Sequence, residues 1–211
     1  MSNPRKCRKK CNPRYVKRIQ ETIVKAIEQY PRIMAARYDL HFPNEENMPD
    51  CPTRYHDDPK VITRFFTSLK SQIEEDIKRK NKKRAGKGVL TCYVRYVWVR
   101  ELNQDEYKHH YHILLLLNQD AYRYPGWIGD DYSSVLSMVI KAWIRAIRKE
   151  HQGKKYTGCV HAPTHSCYRL NRNQPKCASQ CQDLIERALY LAKEHSKDKS
   201  DGYRNFGCSG K

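Results

Sequence analysis

The sequence lacks a long hydrophobic run. Its longest apolar stretch, Ile113–Leu117, is far shorter than the ~20 residues that a membrane-spanning helix needs. The basic segment Met1–Asn12 has no apolar core, which excludes a secretory signal. We therefore expect a cytoplasmic protein with no membrane partner.

A complete set of disulfide bonds is also missing, because the chain has nine cysteines, an odd number. In a reducing cytosol, free thiols are the ordinary state. Only the pairs Cys7/Cys11 and Cys177/Cys181 approach the spacing of a zinc knuckle. Structural zinc is thus the minor interpretation, and unligated thiols are favoured.

Acidic residues are scarce relative to basic ones. The chain has 23 Asp and Glu against 41 Lys and Arg, a net charge of +18. Such an excess attracts polyanions, most commonly nucleic acid. The basic runs around residues 5–10 and 78–87 are predicted to contact phosphates without reading sequence. The residues concerned are Arg5, Lys6, Arg8, Lys9, Lys10, Lys82, Lys83, Arg84 and Lys87.

Hydrophobic periodicity predicts an α+β fold with a mainly antiparallel sheet. A flexible basic arm over residues 1–13 precedes a single domain, 14–211. Helices are predicted over residues 15–29, 59–80, 132–151 and 178–194. Strands are predicted over residues 32–42, 89–102, 108–117 and 203–206, with one or two more within 156–171. The strands 89–102 and 108–117 are expected to form a hairpin.

Two histidines suggest a metal site. His110 and His112 alternate along a predicted strand and therefore point to the same face of the sheet. Glu101 ends the preceding strand and could lie alongside, with Asp105 and Glu106 as rivals for the third ligand. Two imidazoles and a carboxylate suit a divalent cation that keeps open positions for a phosphate oxygen and water.

A tyrosine on the last predicted helix faces away from the apolar stripe. Stepping 100° per residue places Tyr190 almost opposite the middle of the apolar arc. This arc consists of Leu184, Ile185, Ala188, Leu189, Leu191 and Ala192. Lys193 lies one turn further on the same face, where its charge would favour a phenolate or bind a phosphate. Such a tyrosine can attack phosphorus. The competing interpretation is an exposed tyrosine beside an exposed lysine.

These residues together resemble the HUH endonucleases. More closely, the chain resembles the replication initiators of filamentous phages and their prophage relatives of the YagK/YfjJ type. The similarity is carried by ARYDLHFP, YVWVRELNQDEYKHHYHILLLLN, YLAKEHSKD and YRNFGCSG. Each motif is short, and their order and spacing carry the resemblance. Two features depart from the family: Tyr111 stands between the histidines, and the Tyr190 helix has no second tyrosine.

The resemblance implies a five-stranded antiparallel sheet with flanking helices and a site that binds Mg²⁺ or Mn²⁺. It implies His110, His112 and Glu101 as the metal ligands, and His41 as a residue that lines the site. Tyr190 would be the nucleophile and Lys193 its helper. The protein would then be a nickase that cuts single-stranded or supercoiled origin DNA and stays covalently attached to the 5′ phosphate. The freed 3′ hydroxyl would prime rolling-circle replication of a phage or mobile element.

No P-loop motif is present, since Gly86-Lys87-Gly88 does not qualify. Unwinding and synthesis would therefore need partners, which we expect to be a host helicase and a polymerase. Two alternatives remain at this point. One is a non-catalytic DNA-binding regulator on the same fold, and the other is a zinc-stabilised nucleic-acid-binding protein.

Overall fold

The computed structural model describes residues 11–43, 57–84, 86–103, 108–126, 134–149, 156–194, 197–198 and 200–210. The helices are α1 (Pro13–Gln29), α2 (Val61–Lys82), α3 (Val135–Ala146) and α4 (Cys177–Ala188), which continues as a 3₁₀ turn, Leu189–Ala192. The strands are β1 (Arg32–His41), β2 (Arg95–Asn103), β3 (Lys108–Asn118), β4 (Val160–His161), β5 (Cys167–Asn171) and β6 (Phe206–Cys208).

All strand pairs in the sheet are antiparallel, and their order is β4-β1-β3-β2-β6. The strand β5 also pairs with β1, at the end of that strand opposite to β4. The sheet thus has six strands but is five strands wide, because β4 and β5 share one side of β1. The predicted α+β class and the predicted β2–β3 hairpin pairing are confirmed.

Helices cover both faces of the sheet, so its central strands are buried on two sides. The helices α1 and α4 pack on one face, where Ile19, Ile23 and Leu184 meet Val97 and Leu114. On the other face, α2 and α3 contribute a larger core that includes Phe65, Leu69 and Trp143. Alternate residues of β1, β2 and β3 therefore belong to different cores.

Several predicted boundaries differ from the observed ones. The strand β2 begins at Arg95, not at residue 89, because Arg95 already pairs with Leu116 near the end of β3. Only two residues of β3 follow Leu116, so the residues before Arg95 have few partners in that strand. Leu90 instead exchanges hydrogen bonds with the Asn81 side chain. The helix predicted over 132–151 ends at Ala146, and Arg148 takes a positive φ of 59°.

The two ends of the chain also differ from prediction. The last helix loses its α geometry after Ala188, and the final strand covers Phe206–Cys208, not 203–206. At the start, Asn12 caps α1 and Cys11 bridges to Lys193. The fold therefore includes residues 11–13, which the sequence assigned to the basic arm; residues 1–10 lie outside the described part. None of the described helices has the length and apolar character to cross a membrane.

A buried carboxylate connects α2 to the segment after β3. The Tyr122 hydroxyl donates to Asp76 at 2.9 Å, and the Lys80 ammonium lies 2.8 Å from the same carboxylate, which Arg79 also contacts. Burial works against the charge of Asp76, but these three donors outweigh it and lower the pKa of the carboxyl. Asp76 is therefore ionised in the folded protein at neutral pH.

We predict that Asp76→Asn lowers the free energy of unfolding by about 2 kcal/mol at neutral pH, because the buried donors lose a charged acceptor. The folded-state pKa of Asp76 is depressed, so its stabilisation is fully present above the unfolded-state value of about 3.9. It is lost as the pH falls through the folded-state pKa. Urea unfolding should thus show a difference between the wild type and the variant that shrinks below about pH 4.

The control is Asp120→Asn, whose ion pair with Arg32 is 2.7 Å long but exposed on both sides. Such pairs contribute little, so the change should stay within ~0.5 kcal/mol. An Asp76→Asn effect that is equally small, or that is the same in acid as at neutral pH, would contradict the assignment.

Candidate metal centre

The pairing register brings the predicted site residues into one row. Across the three central strands, His110 of β3 lies opposite His41 of β1 and opposite Glu101 of β2. His112 stands two residues further along β3, opposite Asp39. All of these positions belong to the face that α1 and α4 cover, at the end where the hydrophobic core stops. The sheet thus builds the predicted cluster from its own register.

Three of these side chains converge on one point. The Nε2 atoms of His110 and His112 are 3.2 Å apart, and His112 Nε2 lies 3.4 Å from a carboxylate oxygen of Glu101. One ligand atom from each residue lies within 4.8 Å of the others. The predicted ligand set is therefore assembled, whereas its rivals Asp105 and Glu106 lie outside the described residues.

The protonation states suit a cation. Burial, together with the neighbouring His112 and His41, lowers the pKa of His110 to about 4, so this imidazole is neutral at pH 7. Burial also disfavours a charge on His112, but hydrogen bonds to Asp39 and Glu101 outweigh it and raise the pKa. Because a metal ligand must offer a lone pair, His112 has to release a proton from Nε2 when it binds an ion.

Asp39 is a residue that the sequence prediction missed. Its carboxylate accepts a hydrogen bond from His112 Nδ1 at 2.6 Å, which turns Nε2 towards His110 and Glu101. A carboxylate behind a metal-binding histidine fixes the tautomer and ring orientation. Burial opposes its charge, but the hydrogen bond with His112 and the Arg37 guanidinium lower the pKa of Asp39. Its only sequence signal is its place two residues before His41.

A lysine is the second missed residue. The buried Lys197 ammonium donates to a carboxylate oxygen of Glu101. Burial lowers the pKa of Lys197 despite this partner. Burial also works against the charge of Glu101, but the hydrogen bond with His112 and the lysine charge hold the pKa of that carboxyl well below its usual range. The carboxylate is therefore ionised and held in place. A lysine seven residues after Tyr190 was the available signal.

Tyr190 lies beside the cluster. Its ring centroid is 6.2 Å from that of His112, and 42% of the residue is exposed. The Lys193 ammonium lies over the ring at 3.5 Å from the centroid, and the Arg37 guanidinium lies at 5.2 Å. The structure thus joins the predicted pair to the predicted metal site, on a 3₁₀ turn and not on an α-helix.

The start of α1 anchors this turn. The Asn12 amide N–H donates to the Ala192 carbonyl at 2.8 Å, and its side-chain Nδ2 donates to Glu194 at 3.1 Å. The Oδ1 atom of the same asparagine side chain caps the first turn of α1 by accepting from the backbone N–H groups of Arg14 and Tyr15. One asparagine therefore couples α1 to the chain between Tyr190 and Lys197.

His41 also lies where it was predicted. Its ring stacks on that of His110, with centroids 5.3 Å apart and planes inclined by 7°. A second His–carboxylate group, His109 with Asp198 and Asp201, is formed nearby. Asp201 accepts from Arg100 of β2 at 2.7 Å and Asp198 lies 3.1 Å from Nε2 of His109 on β3, so this group holds the chain after Lys197 against β2 and β3.

The predicted basic residues that the structure describes lie away from the site. Lys82 ends α2, and Lys83, Arg84 and Lys87 follow it; the last turn of this helix contacts the loop after Asn118 through Lys80. Asn118 is at the far end of β3 from His110, roughly 27 Å away at ~3.4 Å per residue. The arm residues Arg5, Lys6, Arg8, Lys9 and Lys10 lie outside the described residues. Within the described chain, no cysteine belongs to a group with metal-binding geometry.

The fold and the site define an α+β protein with an antiparallel sheet and a histidine–carboxylate cluster on one face. The chain belongs to the YagK/YfjJ C-terminal domain family, whose match covers residues 2–209. It is 35% identical over 199 residues to the uncharacterized protein YagK of Escherichia coli strain K12, covering 92% of this chain and 91% of that protein. It is 33% identical over 198 residues to the uncharacterized protein YfjJ of the same strain, covering 92% and 93%. No solved structure is significantly similar to the chain.

We predict that Asp39→Asn weakens Mn²⁺ binding by about 10- to 100-fold, because His112 loses the acceptor that orients it. Titration calorimetry at pH 7 measures the affinity, with His110→Ala as the variant that loses a ligand outright. Asp120→Asn makes the same chemical change at an exposed carboxylate outside the site and should bind normally. Unchanged Mn²⁺ affinity in Asp39→Asn would remove Asp39 from its orienting role.

Proposed function

We propose that the protein is a metal-dependent single-stranded DNA endonuclease and ligase that nicks an origin through a covalent 5′-phosphotyrosine. On this proposal it initiates rolling-circle replication of a phage or mobile element and is of the HUH type. The observation that carries the proposal is the placement of Tyr190, partly exposed, with its ring 6.2 Å from that of His112 in the three-ligand cluster.

The ligand set fits the proposed ion. Once His112 has released its Nε2 proton, two neutral imidazoles and a carboxylate provide three donors and would leave the ion open to a phosphate oxygen. Mn²⁺ accepts such nitrogen ligands more readily than Mg²⁺, which prefers oxygen. Bound there, the ion would polarise the phosphodiester and stabilise the negative charge that develops on it. Glu101, His110 and His112 would hold it, with Asp39 orienting His112.

In the proposed cleavage, Tyr190 Oη forms a bond to phosphorus and the bond from phosphorus to the 3′ oxygen breaks. The phenolic proton is released and a proton ends on the 3′ oxygen, so the products are a phosphotyrosine and a free 3′ hydroxyl. One phosphodiester bond replaces another. The step is therefore reversible and needs no energy source, which suits an enzyme that both nicks and rejoins.

Two cations support the nucleophile. The Lys193 ammonium and the Arg37 guanidinium both lie against the Tyr190 ring. Cations over a ring face are attracted by its electrons, and both charges would also attract the phosphate that the tyrosine attacks. Arg37 in addition holds Asp39 through contacts of 3.2 and 3.4 Å. It thus connects the nucleophile to the residue that orients a metal ligand.

A DNA-binding regulator that does not nick is the second candidate, and one contact favours it. The Lys197 ammonium already neutralises Glu101, the carboxylate of the ligand set. A site that keeps this ion pair would not need a divalent ion. On this alternative the charge and the fold serve binding alone.

The test mixes the purified protein with labelled single-stranded oligonucleotides tiled across its own locus, with Mn²⁺, followed by a denaturing gel. We expect a labelled protein band that EDTA and Tyr190→Phe both abolish, while DNA affinity is retained. Tyr93→Phe is the matched control, because Tyr93 is also 42% exposed and also has a guanidinium, that of Arg95, 5.2 Å from its ring centroid. That variant should form the adduct normally.

Full adduct formation by Tyr190→Phe would assign the nucleophile to another residue. Tight binding without an adduct on any tile, with Mn²⁺ or Mg²⁺ present, would favour the regulator.

A further inference from the structure

A cavity of about 860 Å³ lies along the edge strand β6, apart from the metal centre. The first turns of α1 form one wall, and the first half of α2 forms the other. The floor contains Trp98 and Tyr96 of β2, and the segment 202–208 closes one side. Gly207 lets the Trp98 indole lie flat against the backbone, since a Cβ there would meet the ring at 2.5 Å. We call this space the β6 groove.

The β6 groove is basic. Among the described residues that line it, none is acidic, and four of the basic side chains are exposed. These four are Arg14, Arg18, Lys70 and Arg204. They come from α1, α2 and the segment before β6, so both walls and one end carry positive charge. A channel lined in this way attracts an extended anionic chain.

Two aromatic rings in the groove each lie beside a cation. The Tyr203 ring is 52% exposed, and the Arg100 guanidinium lies 5.6 Å from its centroid. The Lys70 ammonium lies 5.1 Å from the centroid of Tyr96, but Tyr96 is also stacked on Phe66 with centroids 3.6 Å apart, so Tyr203 is the ring that is open to a ligand. Arg100 is itself held by Asp201 at 2.7 Å, so the cation behind Tyr203 is fixed. Flat apolar surfaces beside positive charges suit a ligand made of flat bases and phosphates.

We propose that the β6 groove binds single-stranded DNA, with a base against the exposed Tyr203 ring and phosphates on its basic walls. Unpaired bases are required, because a base in a duplex presents its faces to its neighbours and not to a protein ring. The assignment to DNA rests on the proposed function. The proposal places the bound DNA outside the cluster of Glu101, His110 and His112, on a separate surface.

The groove and the metal centre share three structural elements. Arg100 in the groove precedes Glu101 in the cluster. Arg14 follows Asn12, which holds the turn that carries Tyr190 and Lys193. The segment after Lys197 continues through Asp201 to Tyr203. Because Arg100 and Glu101 are neighbours on β2, their side chains point to opposite faces of the sheet. The groove would therefore hold the DNA to one side of the cleavage point and not at it.

The first test measures anisotropy of a labelled oligonucleotide of about 20 nucleotides in EDTA, where no cleavage occurs. The double variant Arg14→Glu/Arg18→Glu should bind at least about tenfold more weakly at ~0.15 M salt. Its plot of log affinity against log salt should be shallower by about 1.4, the value for two lost phosphate contacts on a single strand. Lys17→Glu is the matched control, since Lys17 is exposed on the same helix but does not line the groove.

The second test addresses stacking. Tyr203→Ala should weaken binding by at least about fivefold with little change in salt dependence, because a stacked ring and not a charge is lost. Tyr93→Ala, at an exposed tyrosine outside the groove, should bind as the wild type does. Thermal unfolding midpoints close to that of the wild type establish that the variants are folded.

Equal DNA affinity for the wild type, the Arg14/Arg18 variant and Tyr203→Ala would overturn the proposal. Tighter binding of duplex DNA, or of RNA of the same sequence, would overturn the assignment to single-stranded DNA. The binding assay is independent of nicking. If groove variants lose affinity and the wild type forms no adduct, the groove stands and the nickase fails; if an adduct forms but groove variants bind normally, the reverse holds.

Discussion

The register of the three central strands is the constraint on which the site depends. His110 is opposite His41 on one side and Glu101 on the other, so sheet pairing alone places three side chains in a row. A slip of one residue in β3 would turn its histidines to the opposite face. The register is in turn fixed by burial on both faces, since alternate residues of β3 enter two different cores. The hydrophobic cores thus determine the polar geometry at one end of the sheet.

Around that row, three of the polar groups are held by partners of opposite charge. Asp39 orients His112, Arg37 holds Asp39 and also contacts the Tyr190 ring, and Lys197 holds Glu101. Such support keeps a cluster in position within a buried environment, where an unpaired charge is costly. It also spreads the site over elements that are far apart in the chain, from β1 to the segment after the 3₁₀ turn.

The sequence was sufficient to predict the α+β class, the β2–β3 hairpin and the cluster of His110, His112 and Glu101, because each follows from strand periodicity and short loops. It did not predict Asp39 or Lys197 as parts of the site. Their roles depend on which strands are neighbours and on where the chain returns, and β1 joins β3 across a long separation in sequence. The predicted end of the last helix was also wrong, since a hydrophobic pattern does not distinguish an α-helix from the tighter 3₁₀ turn at Tyr190. The basic residues after α2 were recognised by charge, but charge carries no information about distance from the site.

The ion pair between Lys197 and Glu101 has a consequence for the order of folding and metal binding. In small metal-dependent domains the site rarely exists before the ion binds, so folding waits for the metal. Here Lys197 neutralises Glu101 and His110 is uncharged at pH 7, so the cluster is held together by the protein's own groups. On the proposed function, folding and metal loading would then be separate events, and the supply of divalent ions would govern how many molecules are loaded but not how many are folded.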